Sequence, residues 1–329
     1  MSIPDSIAAA TRWLVCLCLL AGPAVAEWHS ASADKMGTRM VVQLWHEDPV
    51  VGQQLLAAAM AEFDRIEEAM STYRESSEIS VVNRDAAGQA VVVSQELFDL
   101  IARAVDLGAQ TGGAFDITYD SVGQLYDYRA GQRPDAEAIN ARLAAIDYRL
   151  VQLDESARSI HFAREGVRIN LGGIAKGHAV EAVIDQLRAA GVQHALATAG
   201  GDTRLLGDRR GKPWIVGIRD PDDEQGLVTR LALQDEAIST SGDYERFFDD
   251  ADGQRYHHIL QPATGSPARG LRSVTVLGPD ATVTDGLSTS VFVLGAEAGL
   301  QLIEALPGYE AVLVSSDRQV SYSAGLDPR

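Results

Sequence analysis

Asp285 and Thr289 stand four residues apart in TDGLSTSVFVLG, residues 284–295. On a helix that spacing turns a carboxylate and a hydroxyl to the same side. Two hard oxygens so placed suit a cation such as Mg2+. The same residues also fit a helix that Asp285 caps and in which Thr289 is packed. HHILQPATG, residues 257–265, sets two histidines ahead of a Pro–Gly turn. A histidine there could be a general base, a phosphate contact or a metal ligand. Strand alternation would aim the pair at opposite faces. Tyr73 could stack on a planar cofactor or simply pack. Asp116, in GAFDIT, could accept a hydrogen bond from a heterocycle or cap a turn. Ser239, Thr240 and Ser241 are hydroxyls without the GxSxG context of a serine hydrolase.

NLGGIAKGHAVEAVIDQL, residues 170–187, concentrates glycine at Gly172, Gly173 and Gly177. Val167, Ile169 and Leu171 alternate like a strand, and Ala175, Ala179, Val183 and Leu187 repeat like a helix, with Gly191 at its C-cap. A strand, a glycine turn and a helix N-terminus let a ligand approach backbone and present free N–H groups to an anion. The spacing matches neither GxxxxGK[ST] nor GxGxxG, so neither standard nucleotide loop is present.

The elements that must position these residues are also legible. Met36 to Trp45 reads as a strand. Asp48 and Pro49 read as N-cap and first turn of a long helix through Leu56, Phe63, Ile66 and Met70. Ser94 caps a second helix ending near Gly112, and Asp135 a third to about Ile146. Strands follow at Ala195–Thr198, Trp214–Ile218, Val228–Leu233, Tyr256–Leu260 and Ser273–Leu277, then a helix near Thr284 and a strand at Ala311–Val314. Few regular βα alternations point to α+β, with a mixed or antiparallel sheet and flanking helices. No linker divides the chain, which reads as one domain over residues 27–329, with two lobes around a cleft.

The 329 residues carry a formal net charge of −18, which excludes non-specific nucleic-acid binding and disfavours anionic lipid. A polyanionic ligand would need local cations in that field. Arg12, the apolar run Trp13–Leu20 and Ala24-Val25-Ala26 read as a secretory signal over residues 1–26, cleaved before Glu27. The run is too short for a permanent span, so no permanent membrane anchor is expected, with a lipid anchor as the minor alternative. Cys16 and Cys18 both fall inside the signal. The mature chain then has no thiol nucleophile, disulfide or Cys-ligated zinc, and export to a bacterial periplasm is the simplest reading.

Taken in order, MGT (36–38), MSTYRESSEIS (70–80), GAFDIT, LGGIAKG, AGGD (199–202), STSGDY (239–244), HILQPATG and DGLST resemble the ApbE-type FAD:protein FMN transferases, from Met36 to the C-terminus. The resemblance implies Mg2+ held by the Ala175 carbonyl and by Asp285 and Thr289, with Ser288 nearby. It implies contacts to FAD from Met36, Tyr73, Ala114, Phe115, Asp116, Asn170, Lys176 and Ile259. It places His258 near the phosphates, as proton acceptor or phosphate contact. The implied reaction moves FMN from FAD to a Thr or Ser hydroxyl of a partner protein and releases AMP. The family's partners are membrane-associated redox subunits, here facing the periplasm. Two positions depart from the family pattern: Asn170 and Gln261 replace acidic residues and lose their charge. An FAD pyrophosphatase and a non-catalytic flavin-binding or assembly protein are the alternatives.

Overall fold

The computed structural model describes residues 27–326, so the proposed signal segment lies outside the described residues. Eight strands form the main sheet: β1 (Glu27–Lys35), β2 (Thr38–His46), β3 (Ala195–Ala199), β4 (Asp202–Leu206), β5 (Ala237–Gly242), β6 (Leu271–Gly278), β7 (Glu310–Ser315) and β8 (Val320–Tyr322). They lie in chain order across the sheet, and every neighbouring pair is antiparallel. All the remaining elements are insertions into this meander.

The helices are α1 (Pro49–Met70), α2 (Glu78–Asp85), α3 (Gln95–Gln110), α4 (Asp120–Gly123), α5 (Ala136–Leu143), α6 (Ala175–Ala189), α7 (Ala281–Leu294) and α8 (Ala296–Glu304). Asp48 caps α1 by accepting from the backbone N–H of Val50, with Pro49 in its first turn. Leu56, Ala59, Phe63, Ile66 and Met70 then bury one stripe of that helix. Ser94 caps α3 and Asp135 caps α5, as their sequences predict. α1, α6 and α7 pack on one face of the sheet. The Trp214–Asp220 and Asp223–Leu233 hairpin covers the other, where Ile218 meets Ile238, Leu277 and Val312.

Three local departures from the sequence reading bear on the site. The alternating segment 167–171 is extended but joins no sheet. Val167, Ile169 and Leu171 are buried as alternation requires. Their backbone partners are side chains and a loop: Asn83 brackets Ile169, Ser121 Oγ accepts from Arg168 N–H, and Ile117 O accepts from Asn170 N–H. Every backbone group needs a partner, but a ladder is only one way to supply it.

The expected strand Tyr256–Leu260 is broken. Arg255–His257 pairs with Phe247–Asp249, and Leu260–Gln261 pairs with Ser266–Pro267. His258 and Ile259 sit in the gap between those hairpins.

The helix expected near Thr284 starts at Ala281, because Asp280 accepts from Val283 N–H and is its cap. Asp285 therefore stands inside the helix. α7 is buried on nearly every side, and its Thr and Ser hydroxyls replace an apolar stripe.

Candidate active site

Two helices and one strand end build the core of the site. α6 begins at the glycine turn with no side-chain cap. The backbone N–H of Gly177 instead donates to Asp285 Oδ2 of α7 at 2.9 Å. A carboxylate from one helix thus occupies the positive end of the other. The helices come this close because residue 177 has no side chain. A Cβ there would stand 2.1 Å from Ala281 O and 2.7 Å from Asp285 Cβ. Gly177 therefore serves the helix crossing, and Gly173 the close approach of the turn to Phe115 and Thr289: a Cβ on Gly173 would lie 3.3 Å from both Thr289 Oγ1 and Phe115.

Lys176 Nζ donates to Asp202 Oδ2 at 2.6 Å and reaches Asp285 Oδ1 at 3.5 Å. Asp202 opens β4 directly after Gly200-Gly201, and both carboxylates are almost wholly buried. Burial works against the Lys176 charge, but the two carboxylates outweigh it and hold its pKa above the usual lysine range. Burial, then the neighbouring charge of Asp202, raises the Asp285 pKa above the ordinary carboxylate range. Two buried carboxylates against one ammonium leave this corner short of positive charge. Hydroxyls from β5 and α7 close it. Ser241 Oγ lies 2.8 Å from Ser288 Oγ and 3.3 Å from Thr289 Oγ1, and Ser288 also donates to Asp285 O. Ser288 is thereby committed within the protein, whereas Thr289 is less tied.

The buried Asp285 carboxylate and the Thr289 hydroxyl suit a hard cation, and the Ala175 carbonyl at the start of α6 is the backbone oxygen nearest in the chain to complete such a set. Among the described residues, no three His, Cys, Asp or Glu side chains converge. A cation here would draw on a backbone carbonyl and a hydroxyl as well.

The two histidines differ in their partners, and only His257 lies in a strand. Buried His257 donates from Nε2 to Ala268 O at 2.8 Å and accepts at Nδ1 from Ile259 N–H, so both ring nitrogens are used structurally. Burial holds its pKa down at about 4. His258 has an enclosed Nδ1 with no protein partner. Burial, then the charges of Arg246, His257 and Lys176, depress its pKa to about 3, so the ring is neutral at physiological pH. Its backbone N–H is held by Arg246 O. The Arg246 guanidinium lies 2.9 Å from where a Cβ on Gly37 would stand, which links this loop to the β1–β2 turn. Met36 and Gly37 make that turn with positive φ at both positions, as a two-residue hairpin demands.

The remaining expected residues fall into two groups. Ala114, Phe115 and Ile259 are buried beside the site and can offer backbone and apolar surface. Asp116 is also buried, but its carboxylate accepts from Thr118 and from Tyr148 N–H, so turn capping already commits it. Tyr73 is 88% exposed, with its ring in solvent. Asn170 Oδ1 accepts from Gly172 N–H at 2.8 Å and fixes the glycine turn. Asp202, Asp120 and Arg246 join the site without any spacing or motif of their own that marks them in the sequence, except that Asp202 ends the AGGD segment.

The family model for ApbE matches residues 36–313. The chain belongs to the ApbE family. It is 34% identical over 278 residues to the FAD:protein FMN transferase of Treponema pallidum, covering 79% of this chain and 76% of that one. It is 33% identical over 309 residues to the enzyme of that name from Vibrio cholerae, covering 89% and 91%. Its fold matches the crystal structure of the ApbE protein from Thermotoga maritima with a TM-score of 0.84 at 31% identity, covering 91% and 98% of the two chains. It matches the flavin transferase ApbE from Vibrio cholerae with a TM-score of 0.83 at 29% identity, covering 92% and 99%. The ApbE match spans every segment of the site described above, from the Met36 turn to α7. No helix among the described residues is long and apolar enough to cross a membrane.

Proposed function

We propose that this ApbE protein transfers the FMN part of FAD to a Thr or Ser hydroxyl of a partner protein and releases AMP. FAD would lie in a cleft between two lobes, with its pyrophosphate against the glycine turn. The observation that carries this reading is the junction of the α6 N-terminus, Lys176, Asp285 and Thr289. It offers hydrogen-bond donors and oxygen ligands at one charge-deficient point. The Ala175 carbonyl, Asp285 and Thr289 would hold Mg2+, which when bound supplies charge neutralisation to the pyrophosphate. Met36, Tyr73, the 114–116 segment, Asn170 and Ile259 would line the flavin nucleotide.

The acceptor oxygen forms a bond to the FMN-side phosphorus. The bridging P–O bond breaks, and AMP leaves with the bridging oxygen. The hydroxyl proton passes to a base, for which His258, with its ring neutral at physiological pH, is the candidate. Lys176 adds positive charge near the leaving phosphate, and positioning supplies much of the remainder. The partner would be a membrane-associated redox subunit facing the periplasm, which suits an exported enzyme.

The test uses residues 27–329 with FAD, Mg2+ and a peptide carrying an acceptor threonine, followed by mass spectrometry. A peptide gain equal to FMN, lost with EDTA, supports the transferase. Free FMN and AMP without adduct would replace it with the pyrophosphatase. Unchanged FAD that nonetheless binds would replace it with a flavin-binding protein.

A further inference from the structure

Beneath the glycine turn lies a buried carboxylate that the proposed chemistry does not use. Asp120, at the start of α4, is 6% exposed. Its Oδ2 accepts from Arg168 Nε at 2.7 Å, and its Oδ1 accepts from Asn170 Nδ2 at 3.4 Å. Asn170 then uses its other end, Oδ1, to hold Gly172 N–H at 2.8 Å. A side-chain amide can present either end to a neighbour. An ionised carboxylate accepts only, so Asp120 fixes which end of Asn170 faces it. That choice leaves the amide oxygen aimed at the turn. A flipped amide would set an N–H against the Gly172 N–H and release it.

We propose that Asp120 is a positioning residue for the candidate site: it orients the Asn170 amide, which in turn sets the Gly172 N–H and the backbone leading into Ala175 and Lys176. The inference rests on the flavin-transfer reading for its purpose, though not for its geometry. It also accounts for the neutral residue at 170. A carboxylate there would place an oxygen 3.4 Å from Asp120 Oδ1, where the amide nitrogen now donates. Two carboxylates that close repel and cannot both ionise easily. The negative charge in this corner is carried by Asp120, with Arg168 beside it, and residue 170 supplies the donor between that charge and the turn.

The arrangement predicts a reciprocal rescue. Asn170→Asp alone creates the clash. Asp120→Asn alone leaves two facing amides that can still pair, but without the fixed polarity. Asp120→Asn with Asn170→Asp inverts the donor and acceptor of the pair. The amide oxygen at 120 still accepts from Arg168, and the carboxylate at 170 still accepts from Gly172 N–H.

Four chains, residues 27–329 with and without these changes, would be compared for FAD affinity in Mg2+ by flavin fluorescence. The Gly172 amide would be followed by hydrogen exchange in the ligand-free proteins. We expect Asn170→Asp to weaken FAD binding by about 10-fold and to speed Gly172 exchange, as for loss of a buried hydrogen bond to a charged group. The double variant should return both to near the wild-type values, which simple damage to the fold would not do. Unchanged exchange at Gly172 in Asn170→Asp, or a double variant no better than that single one, overturns the proposal. If the wild-type chain shows no FAD affinity, the flavin-transfer reading falls, and the exchange rates alone still decide whether Asp120 positions the turn.

Discussion

The two sides of the candidate site are built differently. At the α6–α7 corner every charged group has a partner: Lys176 with Asp202 and Asp285, and Asp285 with Gly177 N–H. Its groups come from strands and helices of the main core. The opposite side is made of loops. His258 sits between two short hairpins with its Nδ1 unsatisfied, Tyr73 stands 88% exposed, and Met36 holds a positive-φ turn. The core-built corner is set by folding and exists without a ligand. The loop-built side keeps unpartnered groups whose natural complement is the ligand itself. Substitutions at the corner should therefore alter stability as well as activity, and substitutions on the loop side should alter activity alone.

Lys176→Met gives the largest stability effect. It leaves Asp202 and Asp285 buried without their cation, which costs about 3–5 kcal/mol. Thermal unfolding should show this loss in EDTA. Added Mg2+ should restore more stability to this variant than to the wild type, because a cation on Asp285 would offset the negative charge that Lys176 no longer balances. Equal melting temperatures in EDTA would mean that the corner is solvated and not part of the folded core.

Asp285→Ala should abolish Mg2+-dependent AMP release, a fall of about 100-fold or more for loss of a ligand to the charge-neutralising ion. Lys176 keeps Asp202 as a partner, so the variant should remain folded. Full activity in that variant would remove Asp285 from the metal assignment.

His258→Ala tests the other side. It should lower kcat by about 100-fold while changing FAD affinity and melting temperature little. Equal losses of turnover and affinity would make His258 a binding residue. The pH profile sharpens the point. A base works in its neutral form, above its pKa in the free enzyme. His258 is held down at about 3, so it loses that form only as pH falls through about 3. The kcat/KM profile should then show no histidine step near the ordinary value. A step there that vanishes in His258→Ala would place the ring in a wetter setting than the one described.

The same contrast sets how much could be read from the sequence. Helix caps and apolar stripes are local codes, and Asp48, Ser94 and Asp135 cap where they were expected to. The four-residue spacing of Asp285 and Thr289 also survives, since it needs only a helix. The strand assigned to 167–171 fails because alternation reports burial and not the identity of hydrogen-bond partners. The strand expected at Tyr256–Leu260 fails for a related reason: His257 and Ile259 are both buried, as in a continuous strand, and nothing local says that their hairpins end between them. Asp202 and Asp120 act through Lys176 and Asn170, 26 and 50 residues away along the chain. No periodicity encodes pairs so distant.

Tyr73 gives the smallest effect and the cleanest separation of the two sides. Its ring makes little contact with the folded protein, so Tyr73→Ala should change stability by less than about 0.5 kcal/mol, as for an exposed site. If the ring stacks on the flavin, its loss removes about 0.5–1.5 kcal/mol of binding, a several-fold weakening of FAD affinity. Tyr73→Phe keeps the aromatic face and should bind FAD like the wild type. Affinity unchanged in Tyr73→Ala would take the ring out of the nucleotide site and leave it available to the acceptor protein, where the loss would appear in the KM for the peptide. A melting temperature lowered by several degrees in the same variant would break the comparison itself, because an exposed loop residue would then be carrying fold stability that only the α6–α7 corner is expected to carry.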